Sequence, residues 1–218
     1  MEQSKALAKH AKSQRKIDDD VKPIIINVFY VLLVVITLGA FMGYAINAIY
    51  TNPKSLMKDW GISSLTGPKW YMQNCFVFMW IFKLVSVVYI LSKNSKLSEE
   101  FVLALRDIGI TVAFVLEYYI SLEIYYFSDR SFKLSGHALA LSTMTCMILI
   151  ECQRNASITN NKIWQNFGKF MLIFHCYILS WTSFAYHTYL ELFSGLTIGI
   201  LTIWLFHLLA NKLITKNK

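Results

Sequence analysis

Ile24-Ile25-Ile26-Asn27-Val28-Phe29-Tyr30-Val31-Leu32-Leu33-Val34-Val35-Ile36-Thr37-Leu38-Gly39-Ala40-Phe41-Met42-Gly43 contains no charged residue and few polar ones. About 20 such residues, rising about 1.5 Å each as a helix, match the hydrocarbon thickness of a bilayer. The run is too long for a signal-peptide core, and no small-residue cleavage pattern precedes it. It reads as a retained first span from Ile24 to about Tyr50, closed by Asn52-Pro53. Gly39-x-x-x-Gly43 within it is a small-residue stripe suited to close helix packing.

The pattern recurs along the chain. Of 218 residues, 56% are hydrophobic and 16% charged, with the charges clustered between apolar runs. Further spans are expected at about 70–91, 105–127, 135–150, 167–186 and 188–211, the fourth being short. The expected fold is all-α, a polytopic membrane protein with six transmembrane helices. Residues 23–211 form one domain between a polar basic tail, 1–22, and a basic tail, 212–218.

Six spans place both termini on one side. That side receives fifteen Lys and Arg: six in the tail, then Lys93, Lys96, Arg106, Arg154, Lys162, Lys169, Lys212, Lys216 and Lys218. The other receives five: Lys54, Lys58, Lys69, Arg130 and Lys133. The excess predicts cytosolic termini. The net charge of +8 is therefore a property of span flanks and does not point to nucleic acid. Cys75, Cys146, Cys152 and Cys176 lack metal-ligand spacing and read as buried free thiols, and no metal or other cofactor is signalled.

Chemistry concentrates in two places. Ser180-Trp181-Thr182-Ser183-Phe184-Ala185-Tyr186-His187-Thr188-Tyr189-Leu190-Glu191 places His187 and Glu191 four residues apart, just over one helical turn. Leu134-Ser135-Gly136-His137 places a second histidine at the head of another span. Span parity brings both to the non-cytosolic face. A histidine held by a carboxylate is a nucleophile toward phosphorus or a general base, and a second histidine can protonate a leaving oxygen. Ser135 and the amides that open the fourth span, Gly136 among them, would face a phosphate. Arg130 and Lys133 are the nearest cations, with Lys69 a weaker one, and Glu123 could border the site.

Lys83 lies inside the second span, where a charge is costly. Glu117, at similar expected depth in the third span, is the proposed partner in a structural ion pair. His175 precedes His187 by twelve residues, about 18 Å along a helix, and reads as a core histidine, as does His207. Asn155-Ala156-Ser157 matches a glycosylation sequon but falls on the cytosolic side.

Leu-Ser-Gly-His at 134–137 and Ser180-Trp181-x5-His187-x3-Glu191 resemble two signature motifs of the type 2 phosphatidic acid phosphatase superfamily. That superfamily has Arg where Trp181 stands, Asp where Glu191 stands, and an Arg-Pro motif that this chain lacks. A closer resemblance is to the fat storage-inducing transmembrane (FIT) family, a divergent branch. It runs from Lys69 onward, through Asn74-Cys75-Phe76-Val77, Phe132-Lys133-Leu134-Ser135-Gly136-His137, Met147-Ile148-Leu149-Ile150-Glu151 and Tyr186-His187-Thr188 to Gly195 and Gly199.

The resemblance implies a multi-pass endoplasmic reticulum protein with its active site facing the lumen, supporting lipid droplet formation and membrane lipid balance. It implies fatty acyl-CoA diphosphatase activity, with His187 attacking phosphorus, Glu191 supporting it and His137 as acid. Fatty acyl-CoA or another lipid phosphate would be the substrate, and diacylglycerol, triacylglycerol and membrane lipids the partners. The alternative is a non-enzymatic di/triacylglycerol-binding protein that partitions neutral lipid into droplets. A small transporter dependent on Lys83 and Glu117 ranks third, lacking a broken-helix Gly/Pro pattern.

Overall fold

The computed structural model describes residues 2–49, 66–92, 97–127, 134–185 and 187–216. Among them the chain forms six α-helices and no strand: α1 (Glu2–Ile49), α2 (Thr66–Leu91), α3 (Leu97–Phe127), α4 (Gly136–Thr159), α5 (Lys162–Ala185) and α6 (Tyr189–Lys216). Val21–Ile46 and Tyr189–Ile214 are long and apolar enough, by length and composition, to cross a membrane. The polar tail expected at 1–22 is part of α1, with Pro23 inside the helix. The helix at 97–127 begins eight residues before the expected third span, and α4 continues nine residues past the expected end of the fourth.

Helix α4 is the axle. It packs against α5, α6, α2, α1 and α3, and no side chain from Ala138 to Ala156 is exposed. It outlasts its apolar run because Glu151, Arg154 and Asn155 are buried with partners instead of ending the helix in solvent. Asn160, in the left-handed region at φ 53°, then stops it, and Asn161 Oδ1 accepts from Ile163 N at 2.9 Å to start α5.

Small residues set the close approaches. A Cβ on Gly43 of α1 would lie 2.6 Å from the Phe184 carbonyl oxygen of α5, and one on Gly195 of α6 would lie 2.5 Å from the Ser135 carbonyl oxygen. Real Cβ atoms do not sit that close, so both glycines are needed for the helices to meet as they do.

The bundle buries polar and charged side chains within its apolar core and turns large apolar side chains outward. Lys83 is 6% exposed while its neighbour Leu84 is 65% exposed. Outward stripes run along α1 (Tyr30, Val34, Leu38, Phe41), α2 (Val77, Ile81, Leu84, Val88), α3 (Leu105, Ile108, Val112, Val115), α5 (Ile163, Phe170, Ile173, Tyr177) and α6 (Leu201, Leu205, Leu208). Contiguous apolar stripes on nearly every outer helix exceed what a water-soluble domain exposes. The four cysteines are free, Cys75, Cys146 and Cys152 being buried.

His175 is a core histidine, fully buried, with both ring nitrogens in use. Thr145 Oγ1 gives its hydrogen to the Leu141 carbonyl, so it accepts from His175 Nδ1–H at 2.7 Å. Nε2 therefore holds the lone pair and accepts from Tyr71 Oη–H at 2.5 Å. The ring ties α2, α4 and α5 together at mid-bundle.

Candidate active site at the starts of helices α4 and α6

Two helix starts meet at one end of the bundle. Ser135 is the N-cap of α4: its backbone is extended at φ −72°, ψ 104°, and its Oγ accepts from Ala138 N at 3.3 Å. Its own N–H donates to the Glu191 carbonyl at 3.1 Å, which staples α4 to α6. Leu134 N donates to Ser121 Oγ at 3.1 Å, which staples the same strip to α3.

The start of α6 is a capping box. Thr188 is the N-cap, its Oγ1 accepting from Glu191 N at 3.4 Å, while Glu191 Oε2 accepts from Thr188 N at 3.0 Å. The same Oε2 lies 3.2 Å from His187 Nδ1. Thus His187 stands just before the helix, and its contact with Glu191 comes from the cap. The expectation of two side chains on one helical face is corrected in that respect. A carboxylate only accepts, so Nδ1 carries the proton and Nε2 presents its lone pair.

Across from it, the ring of His137, in the first turn of α4, lies 5.6 Å centroid to centroid from that of His187, tilted by 56°. His187 and Glu191 are partly buried, and His137 is exposed. The expected pair and its carboxylate are together. One nucleophilic nitrogen and one exposed proton donor within a ring's width can act on opposite sides of a phosphorus atom.

The phosphate-facing residues are placed differently from one another. Ser135 is fully buried, its N–H and Oγ both engaged at the helix start. Gly136 makes room for the Tyr118 ring, whose Cε2 would sit 2.9 Å from a Cβ there. Arg130 and Lys133 lie outside the described residues. Glu123 is exposed on α3.

The expected Lys83–Glu117 ion pair is not formed. Lys83 Nζ lies 2.7 Å from Glu151 Oε2 and 3.2 Å from Asp107 Oδ2, whereas Glu117 Oε1 accepts from Thr202 Oγ1. The reason is the length of α3. Glu117 is twenty residues past Leu97, while Lys83 is eight before Leu91, a mismatch of twelve residues or about 18 Å.

The actual partners form a buried ionic layer that the sequence reading missed. Arg106 Nε and Nη2 hold Asp107 Oδ1 at 2.7 and 2.6 Å; Arg154 Nη1 holds Glu151 Oε1 at 2.9 Å. Ser86 Oγ also donates to Glu151, and Asn155 Nδ2 donates to Ser86 Oγ at 2.7 Å. The same depth rule finds this layer: Asp107 is ten residues after Leu97, and Glu151 eight before Thr159. Arg106 and Arg154, assigned above to span flanks, are thereby corrected to interior residues.

Among the described residues no group of three or more His, Cys, Asp or Glu is placed to hold a metal ion. No protein-family model, curated protein or solved structure matches this chain.

Proposed function

We propose that the chain is a six-span integral membrane protein and that its paired histidines make it a lipid phosphohydrolase. The particular reaction assigned is that of a fatty acyl-CoA diphosphatase, giving acyl phosphopantetheine and adenosine 3′,5′-bisphosphate. The observation that carries the chemistry is the approach of His137 and His187 to 5.6 Å between ring centroids, with Glu191 on Nδ1 of His187. The membrane reading is supported by the buried ionic layer, the outward apolar stripes, and helices of 24 residues or more, each longer than the roughly 30 Å hydrocarbon core. Cytosolic termini follow from the basic flanks. The endoplasmic reticulum, the lumenal site and a role in lipid droplet formation follow from the FIT-family resemblance.

In this reading His187 Nε2 forms a bond to phosphorus as the anhydride P–O bond breaks. The leaving phosphate oxygen takes a proton from His137. Water then attacks phosphorus, returning a proton to His137, and the N–P electron pair goes back to Nε2. Glu191 stabilises the imidazolium through Nδ1–H. Arg130 and Lys133 are proposed to meet the phosphate charge.

A second reading, a non-enzymatic di/triacylglycerol-binding protein, is favoured by one observation: the Thr188–Glu191 capping box accounts for Glu191 without catalysis. Purified protein in detergent, given a long-chain acyl-CoA, separates the two. The diphosphatase releases adenosine 3′,5′-bisphosphate; His187→Ala abolishes release, and His137→Ala slows it by about 10²–10⁴-fold. Equal release from all three proteins would refute the two-histidine mechanism. Absent release with saturable diacylglycerol binding would establish the second reading.

A further inference from the structure

Helix α3 changes character along its length. In its first half Arg106, Asp107 and Ile110 are buried, but from Val115 to Ile120 every residue except Glu117 is exposed. At about 100° per residue, those positions cover most of the helix circumference. Polar contacts hold this end in place: Glu117 Oε1 accepts from Thr202 Oγ1, and Ser121 Oγ accepts from Leu134 N at 3.1 Å. In the six-span reading the exposed side chains around it face lipid.

Tyr118 is where this lipid-facing surface meets the candidate active site. It is 37% exposed, and its ring lies against Gly136, with Cε2 and Cδ2 standing 2.9 and 3.2 Å from where a Cβ would be. Gly136 directly precedes His137, which is itself exposed. The ring therefore takes the place of a side chain at residue 136 and flanks the histidine pair on the α3 side. Phe114, one turn back, stacks on it with centroids 6.4 Å apart and planes 14° from parallel. The two rings make a continuous aromatic face that leads from the site toward the middle of the bundle.

An acyl chain finds no open face on the axle, because no side chain of α4 from Ala138 to Ala156 is exposed. Another aromatic stack near His187 in the chain is Tyr189 with Phe193, 6.1 Å apart. Gly195, however, turns toward the start of α4, and Phe193 lies about 200° from it around α6. That stack points away from the start of α4, whereas Tyr118 abuts it.

In an acyl-CoA the lipid-side phosphate of the anhydride carries the pantetheine arm, whose first branch point is a carbon with two methyl groups. A branched apolar group next to an anion matches an aromatic face next to two histidines. We propose that Tyr118 is a specificity-determining residue: its ring packs on the pantetheine arm beside the reacting anhydride, and the arm and acyl chain leave the site along the lipid-facing side of α3. This rests on the acyl-CoA diphosphatase reading above and adds to it the contact and the route. Tyr118 takes no part in the bond changes at phosphorus.

The test uses the whole protein in phosphatidylcholine nanodiscs with two substrates. One is palmitoyl-CoA; the other is the β-methyl ester of adenosine 3′-phosphate 5′-diphosphate, which keeps the anhydride and lacks the arm. Tyr118→Ala lowers kcat/KM for palmitoyl-CoA about tenfold or more, as a loss of positioning does, and leaves hydrolysis of the methyl ester unchanged. Tyr118→Phe, which keeps the ring, behaves as wild type on both. An equal fall on both substrates would make Tyr118 a purely structural support of the histidine pair and overturn the proposal. So would unchanged kcat/KM for palmitoyl-CoA in Tyr118→Ala, or a loss in Tyr118→Phe as large as that in Tyr118→Ala.

A second measurement needs no turnover. In the His187→Ala background, Tyr118, Tyr189 or Tyr30 is replaced in turn by p-benzoylphenylalanine and irradiated with palmitoyl-CoA radiolabelled in the pantetheine arm. Labelling at position 118 that unlabelled palmitoyl-CoA displaces, with little at 189 and 30, supports the contact. Equal labelling at all three, strongest labelling at 189, or none at any of them refutes it. Specific labelling at 118 with no hydrolysis by the wild-type protein would sink the catalytic reading and leave this contact standing. Hydrolysis by wild type with no label at 118 would do the reverse.

Discussion

Replacing Glu151 by Gln removes the charge that three donors share: Lys83 Nζ at 2.7 Å, Arg154 Nη1 at 2.9 Å and Ser86 Oγ. Its side chain is 3% exposed, so water does little to compensate. Removing one partner of a buried pair commonly costs about 3–5 kcal/mol. Here Lys83 keeps Asp107 at 3.2 Å and the Gln carbonyl still accepts one bond, which lowers the expected loss to about 2–3 kcal/mol. The discriminating quantity is the coupling. In a cycle of Lys83→Met with Glu151→Gln, the two losses overlap by about 2 kcal/mol, since each deletes the same contact. In a cycle of Lys83→Met with Glu117→Gln, about 18 Å of helix separates the sites and the losses add within about 0.5 kcal/mol. Equilibrium unfolding of the four proteins of each cycle by titration with SDS in mixed micelles gives both numbers. A Lys83–Glu117 coupling equal to or above the Lys83–Glu151 coupling would refute the helix register on which the interior layer depends.

Glu191→Gln separates capping from catalysis, because Gln at the third helical position still completes the box. Stability by the same unfolding assay changes by less than about 0.5 kcal/mol, while acyl-CoA hydrolysis falls by about 10²-fold or more as the imidazolium loses its carboxylate. Equal activity would leave Glu191 a cap alone. Gly195→Ala places a Cβ where the Ser135 carbonyl stands, forcing α6 off the start of α4; a loss of about 1–3 kcal/mol with reduced hydrolysis is expected, and an unchanged protein would show that the two starts are not stapled. Asn155 carries no glycan whatever the topology, since it is fully buried and bonded to Ser86; a mobility shift on endoglycosidase treatment that is lost in Asn155→Gln would contradict its placement.

The meeting of His137 with His187 was legible because each stands in a short polar segment before an apolar run, and a helical register along six runs leaves both at one end. The spacing of His187 and Glu191 was legible too, but its cause was not. Thr188-x-x-Glu191 is a capping-box signature as much as a helical pair, and the box is what orients the carboxylate. The Lys83 partner was misassigned because apolar content marks where hydrocarbon contact begins, not where a helix begins. The polar first turns of α3, and the polar last turns of α4, belong to the helices and shift every depth counted from their ends.

The sequence by itself determined an all-helical chain whose apolar runs need one another or a lipid phase, because backbone groups in apolar surroundings are satisfied within helices. Only the tertiary structure decided which charges face inward. Asp107, Glu151, Arg106 and Arg154 look like flank residues when read singly, since hydropathy scores each as strongly unfavourable in an apolar run. What makes them interior residues is mutual placement: three helices, α2, α3 and α4, deliver them and their partners to one depth, where Coulomb attraction and hydrogen bonds offset desolvation. Pairing is a property of positions in space, and a single chain of letters does not carry it.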